Sequence, residues 1–260
     1  MKKYKILLGC GGKAGLEACK LLKEQHDKGN IEFVGIIRDN KKRWYDRFNW
    51  NPQKFALVNK IPIVDSITDV EHDFFLSVLY WDVLTSDELK SANIDNINFH
   101  LAPLPDYRGS NVCMHAILNG EKVFGATCHR MIEKVDAGQI YKVEKVSVSD
   151  NDTAFSLYVK VTSASIKLFK EFLNIIINNK FQDISFYEQK SGKYFFPKED
   201  VSKYLIITNP KKETRKIRAM TFEPFEPCYK IENGKKIWYT YDVENKKVLE
   251  HYNPPWEFFR

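Results

Sequence analysis

The 260-residue chain has no apolar run near the roughly 18–20 residues that a membrane span needs. The sequence therefore offers no membrane-spanning helix. Its five cysteines (Cys10, Cys19, Cys113, Cys128, Cys228) contain no CxxC pair. Such a scattered, odd set spells out neither a disulfide frame nor a zinc site and fits reduced thiols of the cytoplasm. No His, Cys and Asp spacing forms a metal cage, so no metal is expected. Internal repeats and low-complexity segments are absent. Charge of one sign is also scarce: 40 Lys and Arg against 34 Asp and Glu leave a net charge of +6. The lysines are spread along the chain, which admits an anionic ligand without calling for nucleic acid. The basic start, Met1-Lys2-Lys3-Tyr4-Lys5, precedes an apolar run too short for a signal peptide, and reads better as a first strand.

What is present is ordered. Residues 5–9, 31–37, 74–80 and 94–99 are short apolar runs, and residues 14–25 carry Leu16, Cys19, Leu21 and Leu22 at helical spacing. Strands alternating with helices imply crossovers and an α/β fold, a doubly wound, Rossmann-like, mostly parallel sheet. Its strand ends share one edge, where ligands bind. A long helix is predicted over 152–179, capped by Asp152, with Leu157, Val161, Leu168, Phe172 and Ile176 on one face. Beyond residue 181, Gly, Pro and aromatic residues interrupt short extended runs. Residues 229–238 read as a β-hairpin whose Asn233-Gly234 turn sets Tyr229 opposite Trp238. Two units follow: a Rossmann-like domain over 1–180, and a small C-terminal β-hairpin appendage over 181–260.

Two patterns compete for the chemistry. Gly9-Cys10-Gly11-Gly12-Lys13-Ala14-Gly15 approximates a dinucleotide fingerprint, with Asp39 where a ribose-binding acid belongs. It supports an NAD-dependent oxidoreductase as the rival reading, although tight packing of the strand-to-helix turn needs the same glycines. The second pattern is longer. Asn98-Phe99-His100 ends a predicted strand, where period-two alternation points the amide and the imidazole the same way. Leu104-Pro105-Asp106-Tyr107-Arg108-Gly109 follows, and Asp136-Ala137-Gly138-Gln139-Ile140 lies some 30 residues further on. His26, His72, His115, His129 and His251 are read as structural.

Asn98-x-His100, Leu104-Pro105-x-Tyr107-Arg108-Gly109 and Asp136-Ala137-Gly138-x-Ile140 resemble the signature of the folate-dependent formyltransferases. That family includes methionyl-tRNA formyltransferase, the UDP-aminoarabinose formyltransferase and the dTDP-amino-sugar N-formyltransferases. The resemblance implies 10-formyltetrahydrofolate as co-substrate and Asn98, His100 and Asp136 as catalytic residues. Asn98 and His100 stabilise the oxyanion of the tetrahedral centre, His100 takes a proton from the attacking amine, and Asp136 tunes His100. It further implies folate contacts from Asp82, Val83 and Leu84 and from Ile132, Glu133, Lys134, Val135 and Asp136. Ser110 stands where several relatives carry a second arginine, so no folate contact is carried over to that side chain.

The acceptor lies outside this core. About 80 residues after the long helix are few for an oligonucleotide-binding barrel, and Arg218-Ala219-Met220-Thr221-Phe222-Glu223-Pro224-Phe225-Glu226 resembles the tail of sugar N-formyltransferases. The resemblance thus points to a nucleotide-sugar partner, dTDP-4-amino-4,6-dideoxyglucose foremost, used for surface polysaccharide such as O-antigen. It also implies a cytoplasmic homodimer. Alternatives are the 3-amino isomer, UDP- or GDP-amino sugars, methionyl-tRNA, and a folate-binding module without turnover. Lys13, Arg38 and Lys216 are candidates for the diphosphate, and tail aromatics such as Phe222, Phe225 and Trp238 for the base or for a small core.

Overall fold

The computed structural model describes residues 2–197 and 201–258. Short apolar runs buried on both faces become strands. β1 (Lys5–Cys10), β2 (Glu32–Ile37), β3 (Ile63–Val64), β4 (His72–Val78) and β5 (Ala92–His100) are followed by the two-residue β6 (Arg108–Gly109), β7 (Val123–Arg130) and β8 (Ile140–Ser147). Seven of these form one sheet in the order β3-β2-β1-β4-β5-β7-β8. β1 to β5 run parallel, whereas β7 and β8 add antiparallel pairs. The expected Rossmann-like, mostly parallel sheet is present. Its order reverses between β1 and β4, where such sheets open a crevice.

The helices are α1 (Gly12–Asp27), α2 (Pro52–Val58), α3 (Ser86–Leu89), α4 (Val112–Asn119), α5 (Ala154–Ile177) and α6 (Thr214–Met220). Strand alternation sorts side chains onto two sheet faces. Ile6, Leu8, Phe74, Leu76, Ile97, Phe99, Ala126 and Cys128 join Leu22 of α1 and Leu157, Leu168 and Phe172 of α5 in the main core. Leu7, Ile37 and Phe75 on the other face meet a thin cover of Ile67, Leu84 and Met131. α5 matches the predicted long helix except at its cap. Thr153 Oγ1, not Asp152, accepts the Ser156 amide at 3.1 Å. Asp152 lies one residue too early for that role, and its carboxylate takes the Ser149 amide, Ser156 Oγ and Lys160 Nζ instead.

The tail holds β9 (Phe195–Phe196), β10 (Cys228–Glu232), β11 (Lys235–Asp242) and β12 (Lys247–His251). β10 and β11 pair Tyr229 with Trp238 as expected, and Asn233 and Gly234 take φ of 49° and 75°, as a type I′ turn requires. The hairpin is extended by β12 into a three-stranded sheet, because the Asp242 side chain caps Asn245 N at 3.0 Å and returns the chain. Among the described residues, no helix is long and apolar enough to cross a membrane, and no His, Cys, Asp and Glu group is arranged to hold a metal. All five cysteines are buried free thiols.

The glycine turn after β1 serves packing. A Cβ on Gly11 would run into the Tyr45 hydroxyl, and one on Gly9 would come 2.6 Å from the Phe75 ring. Tyr45, 3% exposed, therefore occupies the approach that a pyrophosphate would need. Asp39 is engaged as well, accepting Arg43 Nε at 2.7 Å. The fingerprint is an aromatic socket, which removes the structural support for the nicotinamide reading.

Candidate active site

Where β4, β5 and β7 lie side by side, the thinly covered face becomes polar. The strand registers pair Ser77 with Asn98 and Asn98 with His129. Three polar side chains therefore form one row across three strands, and His100 lies opposite Thr127 in the next. Ser77 Oγ donates to Asn98 Oδ1 at 2.8 Å, and Asn98 Nδ2 lies 3.1 Å from His129 Nε2 and 3.4 Å from Asp136 Oδ1. His129 Nδ1 is 2.7 Å from the Arg130 carbonyl. His129 is 1% exposed, and this burial pulls its pKa down to about 4. Asp136 pulls the other way; His100 and Arg108 add to the lowering.

His100 is oriented by the main chain. Its Nε2 lies 2.9 Å from the Tyr107 carbonyl. A carbonyl only accepts, so Nε2 carries the proton and Nδ1 presents a lone pair. That nitrogen is 3.7 Å from Asp136 Oδ2, beyond hydrogen-bond reach. Tyr107 holds an unfavoured φ of 62°, a conformation that persists only when its surroundings enforce it. Its ring packs on Phe124, Tyr194 and Phe196, and its hydroxyl donates to Glu121 and accepts from Asn119.

Asp136 is delivered by the turn between β7 and β8, with a left-handed φ of 51°. Its Oδ2 accepts the Gly109 amide at 2.9 Å. Gln189 braces the turn, since Nε2 donates to the Asp136 carbonyl at 3.0 Å and to the Gly138 carbonyl at 2.7 Å, while Oε1 accepts Arg108 Nη2 at 3.0 Å. Gln189 belongs to a strap. Tyr187 exchanges backbone hydrogen bonds with Ile140, Lys193 N bonds Asp106, β9 pairs with β6, and Phe196 stacks on His115 with ring centres 3.7 Å apart.

The three side chains singled out in the sequence, Asn98, His100 and Asp136, thus lie together. His129, Ser77 and Gln189 join them and were not expected. The first two become visible only through strand register, and Gln189 through a contact 53 residues from Asp136. The segments holding Asp82, Val83 and Leu84 and Ile132 to Asp136 also meet. Ser86 Oγ donates to Glu133 Oε1, and Leu84 shares a small apolar cluster with Met131. Val83, Ile132 and Val135 stay exposed there. Lys134 forms the backbone hydrogen bond that closes the turn before Ala137.

Comparison with known proteins decides the family. The formyl transferase family profile matches residues 20–173, more than half of the chain. The chain belongs to the formyl transferase family. It is 31% identical over 196 residues to methionyl-tRNA formyltransferase of Mycoplasmopsis pulmonis, matching 74% of this chain and 65% of that protein. It is 30% identical over 198 residues to GDP-perosamine N-formyltransferase of Brucella melitensis, matching 75% of this chain and 74% of that protein. Against the bifunctional polymyxin resistance protein ArnA of Wigglesworthia glossinidia brevipalpis the identity is 30% over 202 residues, 76% of this chain but 30% of that one. The chain therefore spans under two thirds of the length of ArnA and of the methionyl-tRNA enzyme. A crystal structure of WlaRD, a sugar 3N-formyl transferase in the presence of dTDP and 5-N-formyl-THF, shares the fold. Its TM-score is 0.75 at 21% identity, over 96% of this chain and 98% of that one.

In this member of the formyl transferase family, two features of the cluster suit acyl transfer. An N–H donor on Asn98 and a basic nitrogen on His100 border the space beside Asp136. Donors fixed beforehand around a developing oxyanion lower the barrier, because they need no reorganisation during reaction.

Proposed function

We propose that the protein moves the formyl group of 10-formyltetrahydrofolate to the amine of a nucleotide-linked amino-dideoxy sugar, dTDP-4-amino-4,6-dideoxyglucose foremost. One observation carries the reaction: Asn98, His100 and Asp136 converge with His100 Nδ1 left basic and without a hydrogen-bond partner among the described residues. Exposed Val83, Ile132 and Val135 beside buried Leu84 fit a flat heterocycle, which would cover apolar surface that water now meets. Asp82, Glu133, Lys134 and the neighbouring main chain supply polar contacts around it. The sugar amine attacks the formyl carbon, forming a C–N bond. Asn98 donates to the oxyanion, and His100 Nδ1 takes the amine proton. Breaking the old C–N bond returns a proton to the departing folate nitrogen and leaves a formamide. The Asp136 carboxylate stands 3.7 Å from His100 Nδ1, where the positive charge of the imidazolium arises.

The sugar-nucleotide acceptor is supported by near end-to-end overlap with WlaRD and by the GDP-perosamine relative. Residues 1–180 serve as the catalytic domain and 181–260 as a small β unit for substrate or dimer contacts. The protein acts as a cytoplasmic homodimer in surface-polysaccharide synthesis. Methionyl-tRNA is the second reading, favoured by the 31% identical relative. The test is a panel of dTDP-, UDP- and GDP-amino sugars beside methionyl-tRNA, each with 10-formyltetrahydrofolate, plus calorimetry with 5-formyltetrahydrofolate and NADH. Formylation of a dTDP-amino sugar and folate binding are expected. Formylation of the tRNA and of no sugar would overturn the acceptor, and binding of NADH alone would overturn the reaction.

A further inference from the structure

The sequence marks His129 as no more than a structural histidine, and the structure gives it a more particular place. It lies in the cross-strand row with Ser77 and Asn98, and the polarity of that row follows from one end. The Arg130 carbonyl accepts only, so the His129 proton sits on Nδ1 and Nε2 is an acceptor. The atom 3.1 Å from Nε2 must then be the Asn98 nitrogen and not its oxygen. Asn98 Oδ1 is left facing Ser77, whose hydroxyl rotates to donate. Of the two Asn98 N–H bonds, His129 holds one. The other makes only a 3.4 Å approach to Asp136 Oδ1 and is the donor free to meet a substrate oxygen. Reversed, the amide would present oxygen to an oxyanion.

We propose that His129 is a positioning residue for formyl transfer: a neutral imidazole that sets which end of the Asn98 amide faces the reacting space. Ser77 cannot do this, since a hydroxyl donates or accepts equally well. The groups facing His129 are Asn98 and His100 from β5, Asp136 from the turn and the charge of Arg108. Burial outweighs Asp136 and keeps the ring neutral at physiological pH. The proposal rests on the formyl-transfer reading, and its test separates the two.

His129→Leu removes the acceptor, while His129→Gln keeps its polarity, donating to the Arg130 carbonyl and accepting from Asn98. With the amino-sugar nucleotide that the wild type formylates, His129→Leu is expected to lower kcat about 10- to 100-fold with KM for both substrates within about threefold. His129→Gln should return to within about fivefold of wild type. The double variant with Asn98→Ala should be no more than about twofold slower than Asn98→Ala alone, because His129 acts through Asn98. Nitrogen-15 NMR of the wild-type imidazoles supplies a readout independent of turnover, with His129 expected as the neutral Nδ1–H tautomer from pH 5.5 to 8. Additive losses in the double variant, full activity of His129→Leu, or an Nε2–H tautomer would each overturn the proposal. A wild type that formylates no acceptor while His129 keeps the Nδ1–H tautomer overturns the formyl-transfer reading and the role of His129 in it, and leaves the hydrogen-bonded row standing.

Discussion

Lowering the pH from 7 to 5 should destabilise the wild-type protein more than His129→Gln, by an amount the buried imidazole sets. The ring's ordinary pKa of 6.5 is drawn down to about 4 in the fold, chiefly by burial. Below 6.5 the unfolded chain binds a proton that the folded chain refuses. The stabilisation is therefore complete above about pH 6.5, drains as the pH falls, and levels off once the folded ring protonates near 4. At 1.36 kcal/mol per pH unit, the loss between pH 7 and pH 5 is about 2 kcal/mol. For a chain of this size that corresponds to a melting midpoint lower by about 4–8 °C. Groups common to both proteins cancel when the variant's curve is subtracted, and Gln has no charge to acquire. The assay is thermal unfolding followed by circular dichroism at half-unit pH steps. Parallel wild-type and His129→Gln curves between pH 7 and 5 would refute the claim that His129 is held neutral by burial.

Asp136→Asn should cut kcat by about 10²–10⁴-fold, the usual scale of a lost acid–base partner, with an unchanged circular dichroism spectrum. Steady-state turnover within about threefold of wild type would remove Asp136 from the mechanism. Gly109→Ala places a side chain at a φ of 94° and against the Phe196 carbonyl, which should cost about 2–4 kcal/mol in thermal unfolding. It should also slow turnover, because the Gly109 amide is the one that holds Asp136 Oδ2.

The legible part of this protein was local in character. Strands 5–9 and 74–80 announce themselves as apolar runs between turn residues, and the helix over 152–179 as a repeating apolar face. The cap differs from the expected one by one residue, since Asp152 and Thr153 are both good caps and the Ser149 turn engages Asp152. β12 is hard to see in the sequence because Lys247–His251 is short, with two charges in five residues, and the Asp242 turn brings it back along β11. Within the site, Asn98, His100 and Asp136 were legible as a pattern. His129 was not, because its partnership with Asn98 depends on the antiparallel register of β5 and β7, which neither residue signals alone. The glycine turn misled for a related reason: nothing in Gly9 to Gly15 reveals that Tyr45 will fill it.

The strap from Tyr187 to Phe196 ties the later part of the chain to the loops that hold His100 and Asp136. Recombination among related enzymes is therefore not free to cut the gene anywhere after α5. A joint placed before Tyr187 would import a foreign Gln189 position and a foreign partner for Arg108-Gly109, and would disturb chemistry it never touches. A joint placed after Phe196 leaves the brace native and exchanges only what lies beyond it. The last quarter of the chain can thus diverge while the loops around His100 and Asp136 are inherited intact, provided that the strap travels with the loops it holds.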